Sequence, residues 1–374
     1  MPKLRRTSFV LLIILLVSLS VGVFSADASL GQTTVKVFVD TDIGVDDATA
    51  IAWLLNDRST NVLGFTTVAG NTTAENATQN LLTLLDVANR HLPVTMGAAK
   101  PLRYPHSHLN MFVHGPSGLW FSQVPHDLSH IPHNAPAAIA AAARANPGMT
   151  LLALGPLTNV ARAVQQFPAD MAGVHVIVLA GSRGPGNRTP VAEFNAFSDP
   201  QALDIVLEHQ LDVTLVTEDA FEQVKVDSTE FPQELTRDGG AMGQFLASVL
   251  TPYFLASTQG AGGPAGIPDA VAAIYALRPE LGTATSSLVD VATAAGLTRG
   301  QTVIAITLNS KIEMIADDAE LSALADQAFS GDPNFDINAA LGAILARRPD
   351  NAKVVLIVKG QTMVRVLERG LTEH

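Results

Sequence analysis

Four aspartates fall within eight positions of the stretch VFVDTDIGVDDATAIAWLL (37–55): Asp40, Asp42, Asp46 and Asp47. An aspartate at a helix start can be a simple cap. That accounts for Asp46 or Asp47 alone and leaves Asp40 and Asp42 unexplained. Two carboxylates about 4 Å apart repel by about 1 kcal/mol in water and about 4 kcal/mol at an effective dielectric of 20. A buried group of them calls for a counter-charge, and a divalent cation is the simplest. An all-oxygen ligand set favours Ca²⁺ or Mg²⁺ over zinc. The same residues admit a second chemistry, phosphoryl transfer through an aspartyl nucleophile. That arrangement usually continues differently after its Asp-x-Asp, whereas here Gly44 and two further acids follow.

The elements around the cluster alternate. VKVFVD (35–40) is a β-branched run and predicts a strand, and DDATAIAWLLND (46–57) carries apolar residues at helical spacing. NVLGFTTVAG (61–70), LPVTMGAA (92–99), MTLLALG (149–155), GVHVIVLAG (173–181) and DVTLVT (212–217) predict further strands. Helical segments separate them at 73–91, 134–147, 156–166 and 199–209. Near-continuous apolar strands alternating with helices indicate an α/β fold, a mostly parallel, Rossmann-like open sheet covered on both faces. Such sheets bind ligands at the carboxyl ends of their strands, which is where the aspartates fall. Later, 239–277 predicts two helices joined by a glycine-rich loop, and 288–308 a β-hairpin. KVVLIV (353–358) predicts a strand before a closing helix, while the rest of 309–374 is ambiguous.

The first residues read as a secretory signal peptide: basic MPKLRR, an apolar run, then ADA at 26–28 as a cleavage site. A retained membrane anchor is the alternative; no cysteine follows for a lipid anchor. The expected mature chain is 29–374, exported to the periplasm or outside the cell, without stable membrane association. It has no cysteine, so it must be stable without the disulfides that export permits. The net charge of −12 and the absence of a basic stripe exclude nucleic acid and anionic lipid as expected partners.

DTDIGVDDATAI (40–51) resembles the signature of the inosine-uridine-preferring nucleoside hydrolases, which are calcium-dependent. Further segments resemble family motifs in order: TTVAGN (66–71), VHGPSGL (113–119), ALGPLTNVA (153–161), GNRTPVAEFNAFSDPQA (186–202), PDAVAAIYAL (268–277) and GLTRGQTV (296–303). The family-like core spans about 35–308, with a divergent tail 309–374. The resemblance implies hydrolysis of the N-glycosidic bond of ribonucleosides, through an oxocarbenium-like transition state. It implies that Asp42 is the general base and a Ca²⁺ ligand, with Asp47, Asp269 and the backbone carbonyl of Leu154 completing the metal site. It further implies that Asp40 orients the loop from behind, and that Asp46, Asn71, Asn187, Glu193 and Asn195 hold the ribose. His114 fits the family motif as a substrate contact. Taken alone, Asn187 in GPGNRTP reads as a turn residue. Relatives are often dimers or tetramers, so a homo-oligomer is expected, and the implied role is nucleoside salvage.

The chain departs from the family at Pro268, where relatives carry His, proposed to protonate the leaving base, or Trp, which stacks on it. Proline does neither. The base side is therefore open, and two rivals stand: a nucleoside-binding protein without turnover, and a hydrolase of another N-riboside such as nicotinamide riboside. Trp120 and Tyr253 are candidates for the base pocket, with packing as the alternative for Trp120. Phe194, Phe197 and Trp53 read as packing residues. Six of the ten histidines fall in 101–133, a candidate lid. His106, His108, His126, His130 and His133 read as loop residues, with a second metal site or a replacement acid as the sharper reading. Segment 309–350 reads as an insertion.

Overall fold

The β-branched run 35–40 forms an interior strand of the sheet, β1 (Val35–Thr41), with alternate side chains buried on opposite faces. The computed structural model describes residues 34–105 and 110–373. The signal segment, His106 and His108 lie outside the described residues. Among those residues no helix is long and apolar enough to cross a membrane.

Ten further strands follow: β2 (Thr60–Thr67), β3 (Val94–Met96), β4 (Thr150–Ala153), β5 (His175–Leu179), β6 (Asp212–Val216), β7 (Lys225–Asp227), β8 (Pro264–Gly266), β9 (Gly282–Val291), β10 (Thr302–Ala305) and β11 (Ala352–Val358). Nine form one sheet in the order β10-β9-β11-β6-β5-β4-β1-β2-β3, and β7 pairs with β8 separately. β1 pairs in parallel with β2 on one side and β4 on the other. The chain thus runs outward from β1 to β3 and then returns to the opposite flank of β1. The carboxyl end of β1 is a topological switch point, where such sheets bind ligands.

Val37 and Val39 point into the larger core, under the helices Val45–Asn56, Gly240–Ser257 and Pro268–Leu277; Phe38 points into the core on the other face. The predicted hairpin forms as the antiparallel pair β9 and β10. The expected strand KVVLIV is not an appendage. It inserts as β11 between β6, to which it runs parallel, and β9, to which it runs antiparallel. The closing helix Gly360–Thr372 buries Met363, Leu367 and Leu371 in the main core, and Trp53 Nε1 donates to the Val366 carbonyl at 3.1 Å. The segment read as an insertion folds into helices Leu308–Ile315, Asp318–Phe329 and Ile337–Leu345, which share a small cluster around Ile312, Ala316 and Ile344. The loop between the helices of 239–277 carries the short strand β8.

Candidate active site

β1 delivers Asp40 and, just past its end, Asp42; the helix Val45–Asn56 delivers Asp46 and Asp47 in its first turn. The helix Pro268–Leu277 starts with proline, whose missing N–H costs nothing there, and puts Asp269 in its first turn. All five carboxylates are buried. Oxygens of Asp46, Asp47 and Asp269 lie within 4.8 Å of one another. That trio contains Asp46, whereas the resemblance implied Asp42 with Asp47 and Asp269 as the carboxylate ligands. The backbone closes around Asp42 through glycines: a Cβ on Gly70 would stand 2.0 Å from Asp42 Oδ2, and one on Gly155 3.0 Å from Oδ1.

Asp47 is held by Thr41 Oγ1 at 2.5 Å, the Gly44 amide at 2.8 Å and Asn71 Nδ2 at 3.2 Å. Asp42 Oδ2 accepts the Asn71 amide at 2.6 Å. Asp40 Oδ1 accepts Thr66 Oγ1 at 2.5 Å and Asn159 Nδ2 at 2.8 Å. Oδ1 of Asp42, Asp46 and Asp269 has no hydrogen-bond partner although buried.

Burial is the main cause that raises every one of these carboxyls. Asp47 goes up to about 6 by desolvation and the charge of Asp46, and Asp40 to about 7 by desolvation. Asp42 is pushed well above the ordinary range by burial and the charge of Asp47. Asp269 is raised likewise, by burial and then Asp47 and Asp46. His114 supplies no compensating cation, because burial lowers it to about 4. The buried oxygens without donors, facing one another with no protein cation among them, fit a bound hard cation. Leu154 lines the same cavity; its carbonyl accepts Asn195 Nδ2 at 2.7 Å and keeps a second lone pair.

The cavity is about 570 Å³, ample for a nucleoside-sized molecule. Asp46, Asn71, His114, Asn187, Glu193 and Asn195 line it, so the predicted substrate contacts do converge. Glu193 is 2% exposed and accepts the amides of Gly181, Asn195 and Ala196. Burial nonetheless pushes it to about 7. Asn195 Nδ2 bonds the Leu154 and Leu179 carbonyls, leaving Oδ1 buried without a donor. Asn187 Oδ1 accepts the Phe194 amide at 2.9 Å, so the turn role and the cavity position coexist. His114 Nδ1 accepts the Val45 amide at 3.2 Å, which fixes Nε2 as its N–H.

Tyr253 also lines the cavity, its hydroxyl 3.4 Å from Asp46 Oδ2 and its ring centroid 5.4 Å from that of His114. Phe194 lines it as well. Trp120 instead packs against the main core, with a φ of 53°. Pro268 lines the cavity beside Asp269. His126 and His130 lie near Asp86 and Asp127, and no metal cluster forms around the loop histidines among the described residues. Sequence reasoning missed Thr41, Thr66 and Asn159, which hold the aspartates. The signal available for Asn159 was a polar residue inside ALGPLTNVA with no turn to explain it. A second cavity, about 770 Å³, lies by Asp212 and Lys353 at the amino ends of β6 and β11, away from the carboxylates.

A profile of the inosine-uridine preferring nucleoside hydrolases matches residues 37–364. The chain belongs to that family. It is 36% identical over 278 residues to the non-specific ribonucleoside hydrolase RihC of Salmonella paratyphi B, covering 73% of this chain and 88% of the relative. It is 36% identical over 278 residues to a probable uridine nucleosidase 2 of Arabidopsis thaliana, covering 72% of this chain and 85% of the relative. Among solved structures, the plant nucleoside hydrolase PpNRh1 superposes with a TM-score of 0.75 at 27% identity, covering 91% of this chain and 99% of the other. A purine-preferring ribonucleoside hydrolase from Gardnerella vaginalis shares the fold, with a TM-score of 0.72 at 21% identity over 90% and 98% of the two chains. The chain is accordingly a nucleoside N-ribohydrolase, with a buried aspartate cluster suited to a metal.

Proposed function

We propose that the chain hydrolyses ribonucleosides to ribose and free base with Ca²⁺ as its cofactor and Asp42 as general base. The observation that carries this reading is the buried set of unpartnered aspartate oxygens at the floor of the cavity. Asp42, Asp47, Asp269 and the Leu154 carbonyl would hold the ion, and Asp46 would bind a ribose hydroxyl. When bound, Ca²⁺ supplies Lewis acidity that eases loss of a proton from water. Asp42 Oδ1, free of hydrogen bonds, accepts that proton as the water oxygen reaches C1′. Asn71 and Asp40 keep Asp42 and its loop in place. Asn187, Glu193 and Asn195 orient the sugar, and the surrounding carboxylates stabilise positive charge on the ring in the transition state.

Departure of the base is the open step. Pro268 offers no proton, while the Nε2–H of His114 and the hydroxyl of Tyr253 are neutral donors among the residues that line the cavity. A second reading is favoured by Pro268: an N-riboside whose base is already cationic, such as nicotinamide riboside, leaves as a neutral molecule and needs no acid. Export through the N-terminal segment, assembly into a dimer or tetramer and a role in nucleoside salvage belong to the same proposal.

Residues 29–374 would be incubated with inosine, uridine, adenosine, guanosine, cytidine and nicotinamide riboside, and free ribose measured. Release from the nucleosides supports the reading. Release from nicotinamide riboside alone supports the second one. Binding without release from any of them points to a nucleoside-binding protein.

A further inference from the structure

Pro268 gives the base no polar partner, and a cation stands beside it. β7 and β8 pair antiparallel with Lys225 opposite Gly266, two residues before Pro268. A Cβ on Gly266 would stand 3.2 Å from Lys225 Nζ and 3.9 Å from Pro268 Cδ, so the ammonium and the proline ring flank the same space. Gly266 is not in the left-handed conformation, so what its missing side chain provides is that space. Lys225, Gly266 and Pro268 all line the cavity. Glu222 Oε2 accepts Lys225 Nζ at 2.8 Å, which steadies the ammonium and uses one of its three donors. The Lys225 side chain is 30% exposed and that of Glu222 56%, so the cation is the more sheltered of the pair. The other permanent cation on the wall, Arg188, follows Asn187 in the segment that carries Glu193 and Asn195. The neutral donors offer less. The one proton of Tyr253 faces Asp46 Oδ2 and the Gly266 carbonyl, each 3.4 Å away, and His114 brings no charge.

We propose that Lys225 is a catalytic residue, its ammonium donating a hydrogen bond to the departing base where Pro268 offers none. It thereby selects nucleosides whose base leaves as an anion over ribosides whose base is cationic. This rests on the hydrolytic reading and decides against its nicotinamide riboside form. As the C1′–N bond breaks, its electron pair stays with the base, and the charge spreads over ring nitrogens and carbonyl oxygens that accept hydrogen bonds. A fixed cation aimed at charge that develops in the transition state lowers the barrier more than it tightens the ground state. A base that is already cationic loses its charge on leaving, so the same ammonium repels it in the bound state and gives its departure no support. The step balances: the water oxygen bonds to C1′ and keeps one proton as the ribose hydroxyl. The other proton passes to Asp42 and then to solvent, and the released base takes up one proton in its place.

The test measures kcat and KM of the Ca²⁺-loaded mature chain, as wild type, Lys225→Met and Lys225→Arg, on inosine, uridine, nicotinamide riboside and para-nitrophenyl riboside. The nitrophenolate is a stable anion without help, so its release reports on the rest of the site. Lys225→Met should lower kcat on inosine and uridine by about 10²–10³, the scale of one lost charge-stabilising donor. It should leave para-nitrophenyl riboside nearly unchanged and should not slow nicotinamide riboside, which the wild type cleaves poorly. Lys225→Arg, which keeps charge and donors, should restore most of the loss. An equal fall on every substrate marks a structural role and overturns the proposal. So does wild-type cleavage of nicotinamide riboside as fast as inosine. Unchanged cleavage of inosine and uridine by Lys225→Met removes Lys225 and leaves the hydrolase reading intact. A wild type that releases ribose from none of the four overturns the hydrolase reading itself, and the role of Lys225 with it.

Discussion

The two oxygens of Asp42 are treated differently: Oδ2 accepts the Asn71 amide at 2.6 Å, while Oδ1 is buried with no donor at all. One oxygen fixes the carboxylate and the other is left to act. Asp42→Asn keeps the shape and removes the base, although an amide can also reverse the polarity of the Asn71 contact. The expected outcome is a fall in kcat of roughly 10²–10⁴, the range for a lost general base. Steady-state kinetics at saturating Ca²⁺ check it; unchanged kcat removes Asp42 from its role.

Gly44 sets how closely His114 and Asn71 approach the helix start. Its φ of −89° suits any residue, so a substitution there acts through space alone. A Cβ would stand 2.4 Å from His114 Nδ1 and 2.8 Å from Asn71 Nδ2. Gly44→Ala should displace both and lower kcat/KM by about 10²-fold, the scale of a misplaced catalytic group. Circular dichroism should show the fold retained.

Asn159 ties the site to the sheet. Its Nδ2 bonds Asp40 Oδ1 and the Thr67 carbonyl, and its Oδ1 accepts the Ala98 amide, all buried. Asn159→Ala strands these groups and should destabilise the protein by about 1–3 kcal/mol or more, read by urea unfolding. Calcium affinity should fall as well, because Asp40 loses its orientation.

The metal-free protein should show an unusual pH dependence. Burial raises Asp40 to about 7, Asp47 to about 6 and Glu193 to about 7, above their ordinary values. The folded state therefore binds more protons than the unfolded chain between these limits. Their contribution is complete below about pH 4 and is lost as pH rises through about 6–7. With EDTA the melting temperature should fall between about pH 5 and pH 7.5, and Ca²⁺ should restore it at the higher pH. A melting temperature that rises over this interval in EDTA contradicts the burial of these groups as acids.

Much of this was legible because it is local. The β-branched run before Asp40 and the apolar spacing after Asp47 define a strand and a helix, and the acids between them must lie at the strand's carboxyl end. Glu193 and Asn195 were placed with Asn187 by the resemblance of one short segment to a family motif, and all three line the cavity. What stayed hidden depends on contacts distant in sequence. Thr66 and Asn159 meet Asp40 from separate strands and helices. β11 enters the sheet beside β6 across more than a hundred intervening residues, a non-local pairing that no periodicity reveals. Asp46 joins Asp47 and Asp269 only because two helix starts converge.

The most direct test of the central claim is ribose release from inosine and uridine by EDTA-treated protein titrated with Ca²⁺, alongside Mg²⁺ and Zn²⁺. The account predicts no release in EDTA, and recovery that follows Ca²⁺ occupancy measured on the same sample by calorimetry. Full activity in EDTA, or recovery with Zn²⁺ and not with Ca²⁺, would contradict it.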